Sequence, residues 1–172
     1  KTQEKTIALL LIGELAEKMD ELHPRLPGEV GRPSISIKDR LVAMYIYTFN
    51  KSSSRRSIPD IKLAMGSKIV TKTPHFNTIL GFFKTNYMMK ILMQLLEITS
   101  LPLIGYEDHL SVDSTGFSCS DFEQWFNIRT LSNEKKRKWM KAHVVSGSKT
   151  NIIASVNVTE ATLADCPELI PL

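Results

Sequence analysis

The hydrophobic period of this chain changes once, at Pro102, and no other feature restricts its fold as much. Before that proline, apolar residues return every three or four positions, which gathers them on one face of a helix. After it they alternate, which gathers them on one face of a strand. Helices in one stretch and strands in the next specify an α+β chain, because a parallel α/β sheet needs the two interleaved. The 172 residues suffice for one substantial core or two small ones, and the division is expected between a helical segment, 1–100, and a strand-rich segment, 105–172.

Five helices are expected before the change. Ile7, Leu10, Leu11, Leu15, Met19 and Leu22 form the apolar stripe of the first, and Pro24 ends it. A break follows through Pro27, Gly28, Gly31 and Pro33. Ser36 with Asp39 predicts a capping box and a second helix running to Phe49, carrying Leu41, Met44, Tyr45 and Thr48. Ser57 with Asp60 repeats that signature for a short third helix bearing Ile61, Leu63 and Ala64 and closed by Gly66. Thr73-Pro74 predicts a fourth helix with proline at its first position and Phe76, Ile79, Leu80 and Phe83 facing inward. The fifth, about residues 86–98, carries Tyr87, Met88, Ile91, Leu92, Leu95 and Leu96. These Met and aromatic stripes read as core, not as cofactor contacts.

Past Pro102, Leu110 and Val112 alternate with Ser111 and Asp113, and Ser114-Thr115-Gly116 ends the strand. Asp113 therefore turns away from the apolar face. An acid there, followed by small residues and Gly, leaves room for a divalent cation and a phosphate; the same pattern also describes a solvated strand end. A loop, 118–136, holds Trp125, Arg129 and the start of a basic run through Lys138. A second strand, 139–146, places Trp139, Lys141, His143 and Val145 on one face and Met140, Ala142 and Val144 on the other. After a turn over 147–151, Ile152, Ala154, Val156 and Val158 alternate along a third strand, which makes an antiparallel meander. Asp165 and Glu168 then read as a capping box opening a further helix.

Charge is unevenly spread. Residues 31–90 carry eleven basic side chains against Asp39 and Asp60, a net of +9, between flanks of −2 (1–30) and −3 (91–172). A segment this basic points to a polyanion such as nucleic acid, although basic helical surfaces also occur without one. Helices over 58–65 and 74–84 have the lengths of a helix-turn-helix with a long connection. In that reading the second presents His75, Asn77, Thr78 and Lys84 to the major groove. The aliphatic run at 7–12 is too short to cross a bilayer and precedes no cleavage site, so no membrane partner is expected. Cys119 and Cys166 lack metal-ligand spacing, which implies a reducing, intracellular compartment.

Several short motifs then fall in a telling order. They are Gly31-Arg32-Pro33, Ser54-Arg55-Arg56, Pro74-His75-Phe76-Asn77-Thr78-Ile79, Val112-Asp113-Ser114-Thr115-Gly116, Lys141-Ala142-His143, and Val158-Thr159 followed by Asp165. Together they span nearly the whole chain, which resembles insertion-sequence DDE transposases of the IS4 and IS5 type. The resemblance implies a helical DNA-binding domain followed by the start of an RNase H-like α/β domain, as a three-stranded antiparallel meander and then a helix. It makes Asp113 the first catalytic acid and a ligand of Mg²⁺ (or Mn²⁺), in a metal pair that would promote in-line displacement at a phosphodiester. His143 and Asp165 are possible auxiliaries. Asp165 precedes the helix that leads to the family's fourth strand, so its capping role competes with a catalytic one.

DNA contacts are expected from Arg32, Arg55, Arg56, Lys68, Lys72, His75, Asn77 and Lys84, and from Lys135, Lys136, Arg137, Lys138 and Lys141. Trp125 either stacks on a base or anchors its loop. The partners implied are double-stranded transposon-end and target DNA and a second copy in a synaptic dimer, within the cytoplasm of a prokaryote and near its nucleoid. The family's second acid, before a Gly-Tyr, and its third, a Glu in a Tyr, Arg, Glu, Lys signature, have no match. The chain is therefore expected to be the amino-terminal part of such an enzyme, inactive alone, with the missing acids past residue 172. Two other readings stand beside it: a transposase remnant that binds DNA without cutting, and a helical module whose basic surface meets an acidic protein.

Overall fold

The computed structural model describes residues 3–24, 34–118 and 139–160. Among them the chain is α+β, with five α-helices and one three-stranded antiparallel sheet. It divides into two compact units between Leu95 and Leu96, inside the fifth helix.

The first unit is built around α2 (Ile37–Phe49), which packs on α1 (Glu4–Leu22), α3 (Ser54–Gly66) and α4 (Phe76–Phe82). Ile37, Leu41, Val42, Ala43, Met44 and Ile46 are all buried, so α2 is apolar on most of its circumference, as a central helix must be. Ser36 caps α2 by accepting from the Asp39 N–H at 3.1 Å, as the capping signature predicts. The reciprocal half of the box does not form. Asp20 of α1 instead accepts from Ile37 N at 2.8 Å. Asp39, fully buried, accepts from Thr71 N (2.7 Å), Thr71 Oγ1 (2.6 Å) and Lys72 N (3.0 Å).

Three other expectations are corrected. The stripe expected to bury α1 is largely outside, with Ile7, Leu10, Leu11 and Leu22 each more than half exposed, while Gly13, Ala16 and Met19 face the core. Small residues win that face because the neighbour comes close: a Cβ on Gly13 would stand 3.0 Å from Ile69 Cγ2.

Helix α3 begins at Ser54, not after Ser57, and carries Pro59 inside it. Ser57 lies within the helix, its Oγ donating to Ser53 O (3.2 Å), and Asp60 accepts from Asn50 Nδ2 (2.7 Å). The helix closes one residue beyond Gly66. Lys68 takes the left-handed conformation (φ 60°), with Lys68 N bonded to Met65 O and Ile69 N to Ala64 O, each at 3.0 Å. Helix α4 starts after Pro74, and His75 is its cap, Nδ1 accepting from Asn77 N at 3.3 Å.

In the second unit, the end of α5 (Asn86–Ser100) leads through a 3₁₀ turn, Leu101–Tyr106, to β1 (Leu110–Ser118). β1 pairs with β2 (Trp139–Gly147), and β2 with β3 (Ile153–Glu160), in the order β1-β2-β3 that the alternation predicts. The turn between β2 and β3 is held by Glu107, whose Oε2 accepts from Lys149 N (3.1 Å) and whose Oε1 accepts from Thr150 N (2.7 Å) and from the Thr150 hydroxyl. Gly147 lies beneath that carboxylate, where a Cβ would overlap it.

Candidate functional site

The strand expected to end at Ser114-Thr115-Gly116 runs on to Ser118, because those residues pair with β2, so Asp113 stands near the middle of edge strand β1, opposite Val144, with its side chain exposed. Its Oδ1 accepts from the next residue's N–H, Ser114 N, at 2.7 Å. Side chains on a strand alternate between faces, and directly opposed residues share one. Ser111, Thr115, Val144 and Val156 therefore lie on the face of Asp113. His143 is opposed by Ser114 and Asn157, on the other face.

That placement sets His143, the possible auxiliary on β2, on the face of the sheet away from Asp113. His143 is 1% exposed, and its Nε2 is paired with Thr159 Oγ1 at 2.8 Å. Ser114, Asn157, Thr159 and half-buried Lys141 share its face, so His143 belongs to a polar cluster that ties β2 to β3. The motif Lys141-Ala142-His143 and the later Val158-Thr159 thus pair across β2 and β3, and the His143–Thr159 hydrogen bond joins them on the face away from the acid.

A metal pair needs carboxylates converging at a fixed separation. Among the described residues no group of three or more His, Cys, Asp or Glu converges to hold a metal ion. The face of Asp113 adds the hydroxyls of Ser111 and Thr115, and the other acid that the register sets on it, Glu160 opposite Met140, stands on β3, two strands away. This donor set does not fit Mg²⁺ or Mn²⁺ by itself.

The helical unit is more fully assembled. Lys51, Arg55, Arg56, Lys62, Lys68, Lys72, Lys84 and Lys90 are all exposed, whereas the only acids among residues 34–90, Asp39 and Asp60, are held in hydrogen bonds within the fold. Folding thus sharpens the charge imbalance visible in the sequence. Arg55 lies over the Phe76 ring, 4.6 Å from its centroid, which links the start of α3 to α4. His75, Asn77 and Lys84 are exposed and Thr78 is half-buried.

A cleft of about 470 Å³ opens in this unit among Ser34, Ile35, Arg40, Lys72, Thr73, Pro74, His75, Thr78 and Phe82. Lys72, His75 and Thr78 are among the residues that the sequence marks for DNA. Arg40 is not, because it reads locally as one more charge on a helix. Its partners, Ile35 O and the Phe82 ring, become visible only in the fold. Arg32, Lys135, Lys136, Arg137, Lys138, Asp165, Trp125 and both cysteines lie outside the described residues, as does the expected final helix.

No helix among the described residues is long and apolar enough to cross a membrane. No family model, curated protein or solved structure matches the chain.

Proposed function

We propose that the chain is part of a DDE-type DNA transposase, in which the helical unit grips duplex DNA and Asp113 is the first acid of an RNase H-like sheet. The observation that carries the DNA half is the one-signed surface of residues 34–90, with eight exposed cations while both acids are held within the fold. Such a surface attracts a phosphate backbone and releases its counterions. The catalytic half rests on an exposed acid in the middle of the first strand of an antiparallel meander, together with the motif order in the sequence.

The binding test is direct. Replacing both Arg55 and Arg56 with Ala lowers duplex affinity and flattens the log–log salt slope by about 2, at roughly 0.9 for each phosphate no longer neutralised. An unchanged slope in a fluorescence-anisotropy salt series refutes the assignment. For catalysis, Asp113→Asn in a protein that supplies the remaining acids abolishes strand cutting and leaves binding intact; retained cutting removes Asp113 from the site.

A second reading, a transposase remnant that binds DNA and cuts nothing, is favoured by one observation: among the described residues Asp113 belongs to no group of three or more His, Cys, Asp or Glu side chains that could hold a metal ion. Duplex binding without nicking, in a protein carrying all three acids, selects this reading.

A further inference from the structure

The exposed lysines of the helical unit are mobile point charges, but the cleft beside α2 holds a cation of another kind. The Arg40 guanidinium is fixed twice: Nε donates to Ile35 O at 2.9 Å, and the group lies 5.4 Å from the Phe82 ring centroid. Among the described residues its terminal Nη groups have no acceptor, and no carboxylate lines the cleft. A guanidinium held this way presents a planar pair of donors that matches two oxygens of a phosphate.

The opposite wall is equally constrained. Asp39, adjacent to Arg40 in α2, uses its carboxylate on Thr71 N, Thr71 Oγ1 and Lys72 N, which fastens the 71–72 backbone to the helix that carries the arginine. Its negative charge lowers the local potential, yet both oxygens are already engaged by that backbone and hydroxyl. His75 accepts from Asn77 N through Nδ1, so the neutral ring carries its proton on Nε2 and is a donor. Thr73 and Thr78 add hydroxyls, and Ile35, Pro74 and Phe82 supply apolar wall on which a sugar can rest.

We infer that this cleft seats one backbone phosphodiester of the bound duplex, with Arg40 its bidentate donor and Lys72, His75 and Thr78 closing around it. The inference rests on the DNA-binding reading and deepens it: Arg55 and Arg56 act through charge, whereas the cleft fixes the register of one phosphate. Its volume exceeds a single phosphate, which leaves space for the flanking sugar.

The test compares Arg40→Gln, Arg40→Lys and Lys72→Gln with the unchanged chain by fluorescence anisotropy of a labelled duplex across a salt series. A thermal melt checks that each variant folds. Arg40→Gln weakens binding about tenfold and lowers the salt slope by about 0.9. Arg40→Lys restores the slope but not the affinity, because the charge returns without the fork. Lys72 is exposed, so Lys72→Gln keeps the test open should Arg40→Gln fail to fold; it too lowers the slope.

Duplex binding in which Arg40→Gln and Lys72→Gln change neither affinity nor slope overturns the inference and leaves the function standing. Inorganic phosphate that shifts the amides of Lys72, Thr73 and His75, while Arg40→Gln leaves duplex binding unchanged, marks a small-anion site and overturns it as well. Absence of any duplex binding by the unchanged chain overturns the proposed function and this inference with it.

Discussion

Asp39 and Asp113 are the same residue in opposite circumstances, and the contrast describes the two units they belong to. Asp39 is fully buried and joins α2 to a loop more than thirty residues away. Asp113 is exposed on an edge strand and bonds only to its neighbour's N–H. Between residues 34 and 90 the helical unit holds both of its acids in hydrogen bonds within the fold and shows solvent eight cations. On β1 the sheet unit leaves Asp113 outside.

Their cores differ in the same sense. Ile61, Ile79 and Ile91 are 0% exposed in the helical unit, while β1 keeps Leu110 (59%), Val112 (44%) and Phe117 (42%) in solvent. A sheet needs a second layer over its apolar face, and the described residues of the sheet unit place none over β1. Asp113 lies on the other face of β1 from Leu110 and Val112 and is exposed as well. Asp39, buried beneath a loop, holds that loop.

Substitution at the two acids tests this contrast most strongly. Asp39→Ala strands the donors of Thr71 and Lys72 and costs about 3 kcal/mol of unfolding free energy, whereas Asp113→Ala stays within about 0.5 kcal/mol. Chemical denaturation of both variants measures the gap; equal costs would erase the distinction between a structural and a presented acid. Core truncation gives a second, slightly smaller contrast. Ile79→Ala loses about 2.5 kcal/mol and Val112→Ala less than about 1, because only the first opens a cavity in packed surroundings.

A gain of stability is expected at Lys68. Its left-handed backbone costs a side chain that glycine does not have, so Lys68→Gly stabilises the helical unit by about 1 kcal/mol. The same change removes one exposed cation, and duplex affinity falls slightly while the melting temperature rises. Parallel changes in both measurements would mean that Lys68 does not contribute to the basic surface.

Much of this architecture is legible in the sequence because it is local. The Ser36 cap of α2, the alternation of Lys141, His143 and Val145 on β2, and the meander order all follow from neighbours a few residues apart. The rest depends on distant partners. No local pattern tells Asp39 that Thr71 is its partner, or tells Gly13 and Ala16 that they, and not Ile7 and Leu11, face the core beside Ile69.

His75 does not read as a cap because imidazole is an uncommon choice, and Arg40 does not stand out because its anchors are a carbonyl and an aromatic ring. The opposed faces of Asp113 and His143 are closer to hand. Once β1 and β2 are antiparallel neighbours, a register that sets Asp113 against Val144 sends His143 to the other side.

The smallest effect concerns Glu107, an acid that the sheet unit engages internally. The Glu107 carboxyl is held below its ordinary range, first by the Thr150 hydroxyl and then by the Lys149 backbone; desolvation opposes them, and the Thr150 backbone and the Lys149 charge add smaller lowering effects. A carboxylate whose pKa is depressed by folding contributes stability above its unfolded value. That contribution is lost as pH falls through the lower folded value. The β2–β3 turn should therefore stay closed through the usual carboxylate range and loosen only in more acidic solution, with the Lys149 and Thr150 amide resonances moving together. In Glu107→Gln those amides should show no such titration. If the unchanged chain titrates at the ordinary carboxylate value instead, Glu107 is only resting on the turn and is no counterpart to Asp39.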